Sequence, residues 1–220
     1  MKRRPVLSSG GNDNLDNPPS AVPSKQALTA WLNRIFRPQL NATIEITTFP
    51  NRLRLNWDIG AVIPNGALDV NVLDEHSPEQ IAIVNAIPTG TPVPNITVFL
   101  LGGDKMIKAG THNAFGLANR DKRTAWVMAE SLSGRQTADV AHAIAHEIGH
   151  VLVGYGHPDE NDGRSPLPGT DHKQRLMRSG DAAGGSIRTG HPPGYLLVKP
   201  EWDEAEVWFQ KEEREERMPS

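Results

Sequence analysis

The 220 residues suit one domain, or a domain with tails, and are enough to bury a full core. A net charge of −3, with both signs interspersed, gives no argument for a nucleic-acid or membrane partner, and no apolar run reaches spanning length. The absence of cysteine excludes disulfides, thiolate metal sites and a cysteine nucleophile, without fixing a compartment.

Residues 1–23 are rich in Ser, Gly, Asn and Pro and read as a disordered arm or linker. Their basic start is not followed by an apolar h-region, so they do not read as a secretory signal. The compartment stays open: secreted if the chain is a fragment of a longer product, otherwise cytoplasmic. From Ser24, Leu28, Trp31, Leu32, Ile35 and Phe36 recur at helical spacing, and Pro38 is expected to stop the run. Residues 43–49 read as a strand with Ile44 and Ile46 on one face. Residues 52–57 read as a second short strand.

Residues 65–75 read as loop. Ser77-Pro78-Glu79-Gln80 is a helix start with a serine cap, a proline at the first helical position and glutamine at the box position. Residues 95–101 are almost continuously apolar and read as a buried central strand. Residues 105–123 give no clear element beyond the stretch Phe115-Gly116-Leu117-Ala118. Residues 124–129 read as another strand, and Ser133 to Gln136 can form the capping box of the next helix. In that helix Val140, Ile144, Ile148, Val151 and Leu152 make a core stripe. His142, His146 and His150 lie on a different face, expected to look into a cleft. Residues 158–172 and 181–193 read as loops. A last helix is expected over 201–217, with Trp202 and Trp208 in the core and the charges from Lys211 onward on a solvated face.

The most informative stretch is 145–157. His146-Glu147-Ile148-Gly149-His150 is H-E-x-x-H, which on a helix sets two imidazoles on one face, one turn apart. Such a pair can hold one Zn²⁺, with Glu147 beside it as general base. With 8 histidines in the chain, the motif arises by accident in about one or two such chains per hundred. The competing view, a core helix with satisfied histidines, must bury two histidines and a glutamate among apolar neighbours. The chain can reverse at Gly154 and Gly156 and bring His157 back as third ligand. Asp159 and Asp162 are the alternatives for that position.

The constellation resembles the metzincin clan of zinc metallopeptidases, whose pattern is H-E-x-x-H-x-x-G-x-x-H with a later methionine in a tight turn. His146, Glu147 and His150 match the opening, and Met177 in Arg175-Leu176-Met177-Arg178-Ser179-Gly180 looks like the Met-turn. The resemblance departs at one step: Val153 stands where the family has glycine, and Gly154 and His157 each come one residue late. The first strand usual in the family has only residues 4–7 to supply it. No tyrosine lies two residues after Met177.

The resemblance implies an α+β fold, a twisted mixed β-sheet packed on the active-site helix. A smaller loop-rich C-terminal subdomain ends in a helix. The catalytic domain would span residues 24–218, with an upper part at about 24–156 and a lower part at about 157–218. The implied function is a zinc-dependent endopeptidase acting on peptide or protein substrates. His146, His150 and His157 would be its metal ligands and Glu147 its general base, and Met177 would pack beneath the metal. Substrate would bind extended along 115–118 or 124–129.

Two other readings stand beside it. One is a glutamate-ligand zinc peptidase with Glu201, Glu204 or Glu206 as third ligand. The other is a zinc-binding domain without activity, against which Glu147 argues, because a purely structural site needs no base. His142 is expected to support His146 or face solvent. His76, His112, His172 and His191 are expected mostly at the surface, and Tyr195 to pack normally. Asp159-Glu160-Asn161-Asp162-Gly163 matches a Ca²⁺ loop only loosely, with a solvated acidic turn as the default.

Overall fold

The computed structural model describes residues 24–40, 44–46, 67–70, 75–85, 87, 95–101, 105–108, 112–114, 116–128, 137–154, 157, 175–177, 196–197 and 199–217. The expected arm at 1–23, the strand at 52–57 and the capping box at 133–136 lie outside them. Four helices run through the described residues: α1 (Lys25–Leu40), α2 (Pro78–Asn85), α3 (Thr137–Val153) and α4 (Lys199–Arg217). Six strands join them: β1 (Ala67–Val70), β2 (Thr97–Leu101), β3 (Lys105–Lys108), β4 (His112–Ala114), β5 (Gly116–Asn119) and β6 (Thr124–Met128). Among the described residues, no helix is long and apolar enough to cross a membrane.

The strands form two mixed three-stranded sheets, in the orders β1-β3-β4 and β2-β6-β5. In the second, β2 runs parallel to β6 with Phe99 opposite Trp126 and Leu100 opposite Val127. β5 returns antiparallel on the other side of β6 with Leu117 opposite Trp126. Side chains alternate between faces. Leu100 and Val127 face α3, in one cluster with Ile144, Ile148, Val151 and Leu152. Phe99 and Trp126 point the other way and stack at 4.1 Å between ring centroids. One sheet thus separates two apolar layers, and α3 is pinned to the first.

α1 and α4 complete the layer around α3. Leu32, Ile35 and Phe36 of α1 and Ala205 and Trp208 of α4 belong to the same cluster as the α3 stripe. α1 begins at a serine cap, Ala27 N–H donating to Ser24 Oγ at 3.2 Å. It does not stop at Pro38, which lies inside its last turn. A proline there removes only one intrahelical bond, and the Gln39 side-chain amide donates to the Ile35 carbonyl at 2.6 Å.

Other expectations need correction. Residues 44–46 are not in a strand: the Asn33 side chain takes the place of a partner, donating to the Ile44 carbonyl at 2.7 Å and accepting from its N–H at 2.8 Å. Residues 67–70, expected as loop, form β1, paired with β3 from Leu68↔Met106 to Val70↔Lys108. In the described part of the second sheet β6 lies between β2 and β5, and Phe99 and Leu100 of β2 are buried. Trp202 is 40% exposed because Glu201, Ala205 and Trp208 set the inward stripe of α4 and position 202 is rotated off it.

The α2 start is a reciprocal capping box. Ser77 N–H donates to Gln80 Oε1 at 2.9 Å, and Gln80 N–H donates to Ser77 Oγ at 3.1 Å. Gln80 also donates to Asn119 Oδ1 at 3.1 Å, which accepts from Trp126 Nε1 at 3.0 Å. The cap therefore extends into the polar support of the Trp126 layer. Ser77→Ala is expected to lower the stability by about 1 kcal/mol in urea unfolding. An unchanged midpoint would show that the cap carries no net stability.

Candidate metal centre

His146 and His150 stand one turn apart on α3, and the core stripe of that helix leaves their face for chemistry. The helix ends in a left-handed glycine. Gly154 has φ +65°, and its N–H donates to the His150 carbonyl at 2.9 Å. A β-carbon at 154 would also lie 2.3 Å from Arg120 Nη1. The left-handed conformation favours glycine there, and a side chain would also have to displace the end of Arg120. Arg120 in turn bonds Glu204 of α4 at 2.6 Å, so the helix exit is bordered by a second element.

Beyond that exit the chain brings His157 to the pair. The three Nε2 atoms form a nearly equilateral triangle: His146 to His157 3.1 Å, His146 to His150 3.1 Å, His150 to His157 3.2 Å. Zn–N bonds of about 2.0–2.1 Å put the corners of a tetrahedral site about 3.3 Å apart, so the triangle is close to one face of such a site. A ring nitrogen is either a donor or a bare acceptor. Among three mutually touching nitrogens, at least two therefore share a role, and one contact sets like against like. A cation held by three lone pairs removes that conflict. The residues fit a metal ion on these grounds.

The tautomer of His146 is set by its other nitrogen. Nδ1 lies 2.7 Å from the Leu176 carbonyl oxygen, which can only accept, so Nδ1 carries the proton and Nε2 presents a lone pair. The imidazole is held well below its ordinary pKa, first by burial and then by His150 and His157, against a smaller opposing effect of the Leu176 carbonyl. It is neutral at neutral pH, as a ligand must be.

Met177 packs against the motif helix at Gly149. A β-carbon at Gly149 would sit 2.4 Å from Met177 Sδ. The thioether therefore rests against the helix backbone between the two ligand positions. Glu147 is buried, and its carboxylate rests on β5: a β-carbon at Gly116 would lie 2.1 Å from Glu147 Oε1.

The other residues singled out in the sequence go elsewhere. Glu201 is buried against Arg175, Glu204 pairs with Arg120, and Glu206 is exposed near Gln210. Among the described residues, the group able to hold a metal is His146, His150 and His157. Asp159, Asp162, the acidic loop around them, His172, His191 and Tyr195 lie outside the described residues. His142 is buried, with its ring 6.4 Å from that of His146, rather than facing an open cleft. His76 is not a free surface residue: it bonds Thr124 Oγ1 at 2.8 Å and meets Trp126 edge-on. His112 lies on β4. Sequence reasoning misses Arg120 and Arg175. Their only local signal is a charged residue beside an apolar pair or at a hairpin turn.

No family model matches the chain, and no curated protein matches it significantly.

The depressed His146 pKa has a defined sign. Below about pH 6.5 the unfolded chain takes up the proton more readily than the fold does, so stability is full above that pH and falls as the pH drops. His76, lowered by burial and then by Lys122, acts in the same direction. The metal-free protein is expected to unfold at lower urea at about pH 5.5 than at about pH 7.5. His146→Asn should shrink that difference. An equal loss in the variant would show that His146 does not contribute to it.

Proposed function

We propose that the chain is a zinc-dependent endopeptidase of the metzincin type. The observation that carries this reading is the convergence of His146, His150 and His157 Nε2 atoms within 3.2 Å, next to a glutamate that follows the first ligand in sequence. A zinc ion held there supplies Lewis-acid polarisation of the scissile carbonyl and lowers the pKa of water to about 7.

The chain's own residues do the remainder. His146, His150 and His157 are the ligands, and Met177 shapes the floor. Glu147 accepts a proton from the attacking water and hands it to the leaving amine nitrogen. β5 orients the substrate. It is paired with β6 on one side only among the described residues, whereas β6 is paired on both. An extended peptide can therefore add to β5 by main-chain hydrogen bonds, and β6 is the poorer of the two candidates. In that pose the peptide backbone runs beside Gly116, where the Glu147 carboxylate lies.

Purified protein is expected to hold about one zinc per chain and to cleave members of an unstructured peptide library. Glu147→Gln should keep the zinc and lose cleavage by about 10²- to 10⁴-fold. Undiminished cleavage would sink the mechanism. Zinc binding with no cleavage by the unaltered protein would favour the inactive binding domain instead.

Gly116→Ala tests the placement of the base. The added methyl occupies the space of the Glu147 carboxylate, whose atoms are the nearest to it. Zinc content should be unchanged and kcat should fall, with KM little affected. Full kcat would mean that the carboxylate position at Gly116 is irrelevant to the reaction.

A further inference from the structure

The segment Arg175-Leu176-Met177 supplies no metal ligand, yet it carries the carbonyl that sets the proton of His146. Three contacts hold it. Leu176 N–H donates to the Leu196 carbonyl at 2.8 Å, and Arg175 bridges to Leu196 in a parallel β-bridge. Met177 Sδ rests against Gly149. The third contact is an ion pair: Arg175 Nη2 bonds Glu201 Oε1 of α4, with the two side chains 3% and 0% exposed.

Such a pair is an unusual choice for a core. Two desolvated charges seldom add stability over apolar residues of the same volume, and in some proteins such pairs instead fix conformation. This one fixes the residue immediately before Leu176. The neighbouring strand segment is tied as well, Leu197 N–H donating to Gln39 Oε1 of α1 at 2.7 Å. The Leu176 carbonyl is thus braced from α1 on one side and from α4 on the other.

We propose that Arg175 and Glu201 are positioning residues for the metal centre: their buried ion pair holds the Leu176 carbonyl so that His146 carries its proton on Nδ1 and presents Nε2 to the metal. Glu201 acts through this pairing and does not ligate. The inference rests on the metal-centre part of the proposed function and is independent of peptide cleavage.

The decisive variant replaces both partners, Arg175→Met with Glu201→Leu. It removes the ion pair without leaving a buried charge alone, so the fold should persist. Zinc affinity, measured by competition with a chromophoric chelator, should fall about 10- to 100-fold, as loss of an outer-shell partner does. In metal-free protein, long-range ¹H–¹⁵N spectra of the imidazoles should show His146 as the Nδ1–H tautomer, and a mixture of tautomers in the double variant. A purely structural pair would shift the melting temperature and leave the tautomer alone. Lys199→Ala, which removes the exposed Lys199–Asp203 pair of the same helix, serves as control and should leave both readouts unchanged.

A folded double variant with the zinc affinity and tautomer of the unaltered protein overturns the proposal. If the double variant fails to fold, Arg175→Lys decides. It keeps the charge but not the guanidinium fork, and it must bind zinc more weakly than the unaltered protein. Equal affinity overturns the proposal here too. Unaltered protein that binds no zinc would instead overturn the metal-centre reading itself, a separate failure.

Discussion

The hydrogen bond from His146 Nδ1 to the Leu176 carbonyl is the contact on which the rest of the site depends. A neutral imidazole has one proton and two nitrogens to put it on. If the proton moved to Nε2, a donor would point at His150 and His157, and no lone pair would be left for a metal. The carbonyl settles that choice only if it stays within hydrogen-bond distance of a buried helix. Two rigid bodies are therefore needed. One is α3, clamped by its stripe against the sheet and against α1 and α4. The other is the 175–177 segment, clamped by a β-bridge, a buried ion pair and a thioether against a glycine.

Burial and chemistry pull in the same direction here. Removing an imidazole from water disfavours its charged form. In an ordinary core this would be a cost to be met by hydrogen bonds, but a ligand must be neutral anyway. Three ring nitrogens within 3.2 Å of one another cannot all be matched as donor and acceptor, so at least one contact sets like against like. A metal ion held by the three histidines would couple its binding to folding, each favouring the other. Met177 fits the same logic. A polarizable, apolar side chain packs against the helix backbone at Gly149, between His146 and His150 in sequence, and offers no strong donor there.

What is legible in the sequence is local. The H-E-x-x-H pair, the α3 stripe and the Ser77–Gln80 box each sit within a few residues, and one helical turn converts their spacing into contact. What is not legible depends on partners far along the chain. The strand Ala67–Val70 has an acidic residue in its middle and exists because β3 pairs with it. Residues 44–46 carry the right alternation, with Ile44 and Ile46 both packed on the core, yet their partner is a side chain, Asn33. Glu201 is visible as a candidate ligand because acidic residues near a histidine motif invite that role. Only the position of Arg175 gives it another. Pro38 illustrates the reverse error: a breaker reads as a stop, whereas the last turn of a helix can absorb it.

The step from the second to the third histidine is one residue longer than in the pattern the sequence resembles, and it begins at the helix end. Gly154 adopts the left-handed conformation and closes α3 through the His150 carbonyl. From that glycine to His157 is three residues, as in the family pattern. Val153 is the last residue of α3. That residue is 1% exposed and belongs to the core cluster. One more helical residue turns the exit direction by about 100° and advances it about 1.5 Å. The rotation would aim the chain away from the pair if the exit were free. It is not free: Arg120 lies across Gly154, within 3.4 Å of the Leu152 carbonyl, and is itself held by Glu204. Val153 holds the helix end against the core, and Arg120, paired with Glu204 of α4, covers Gly154.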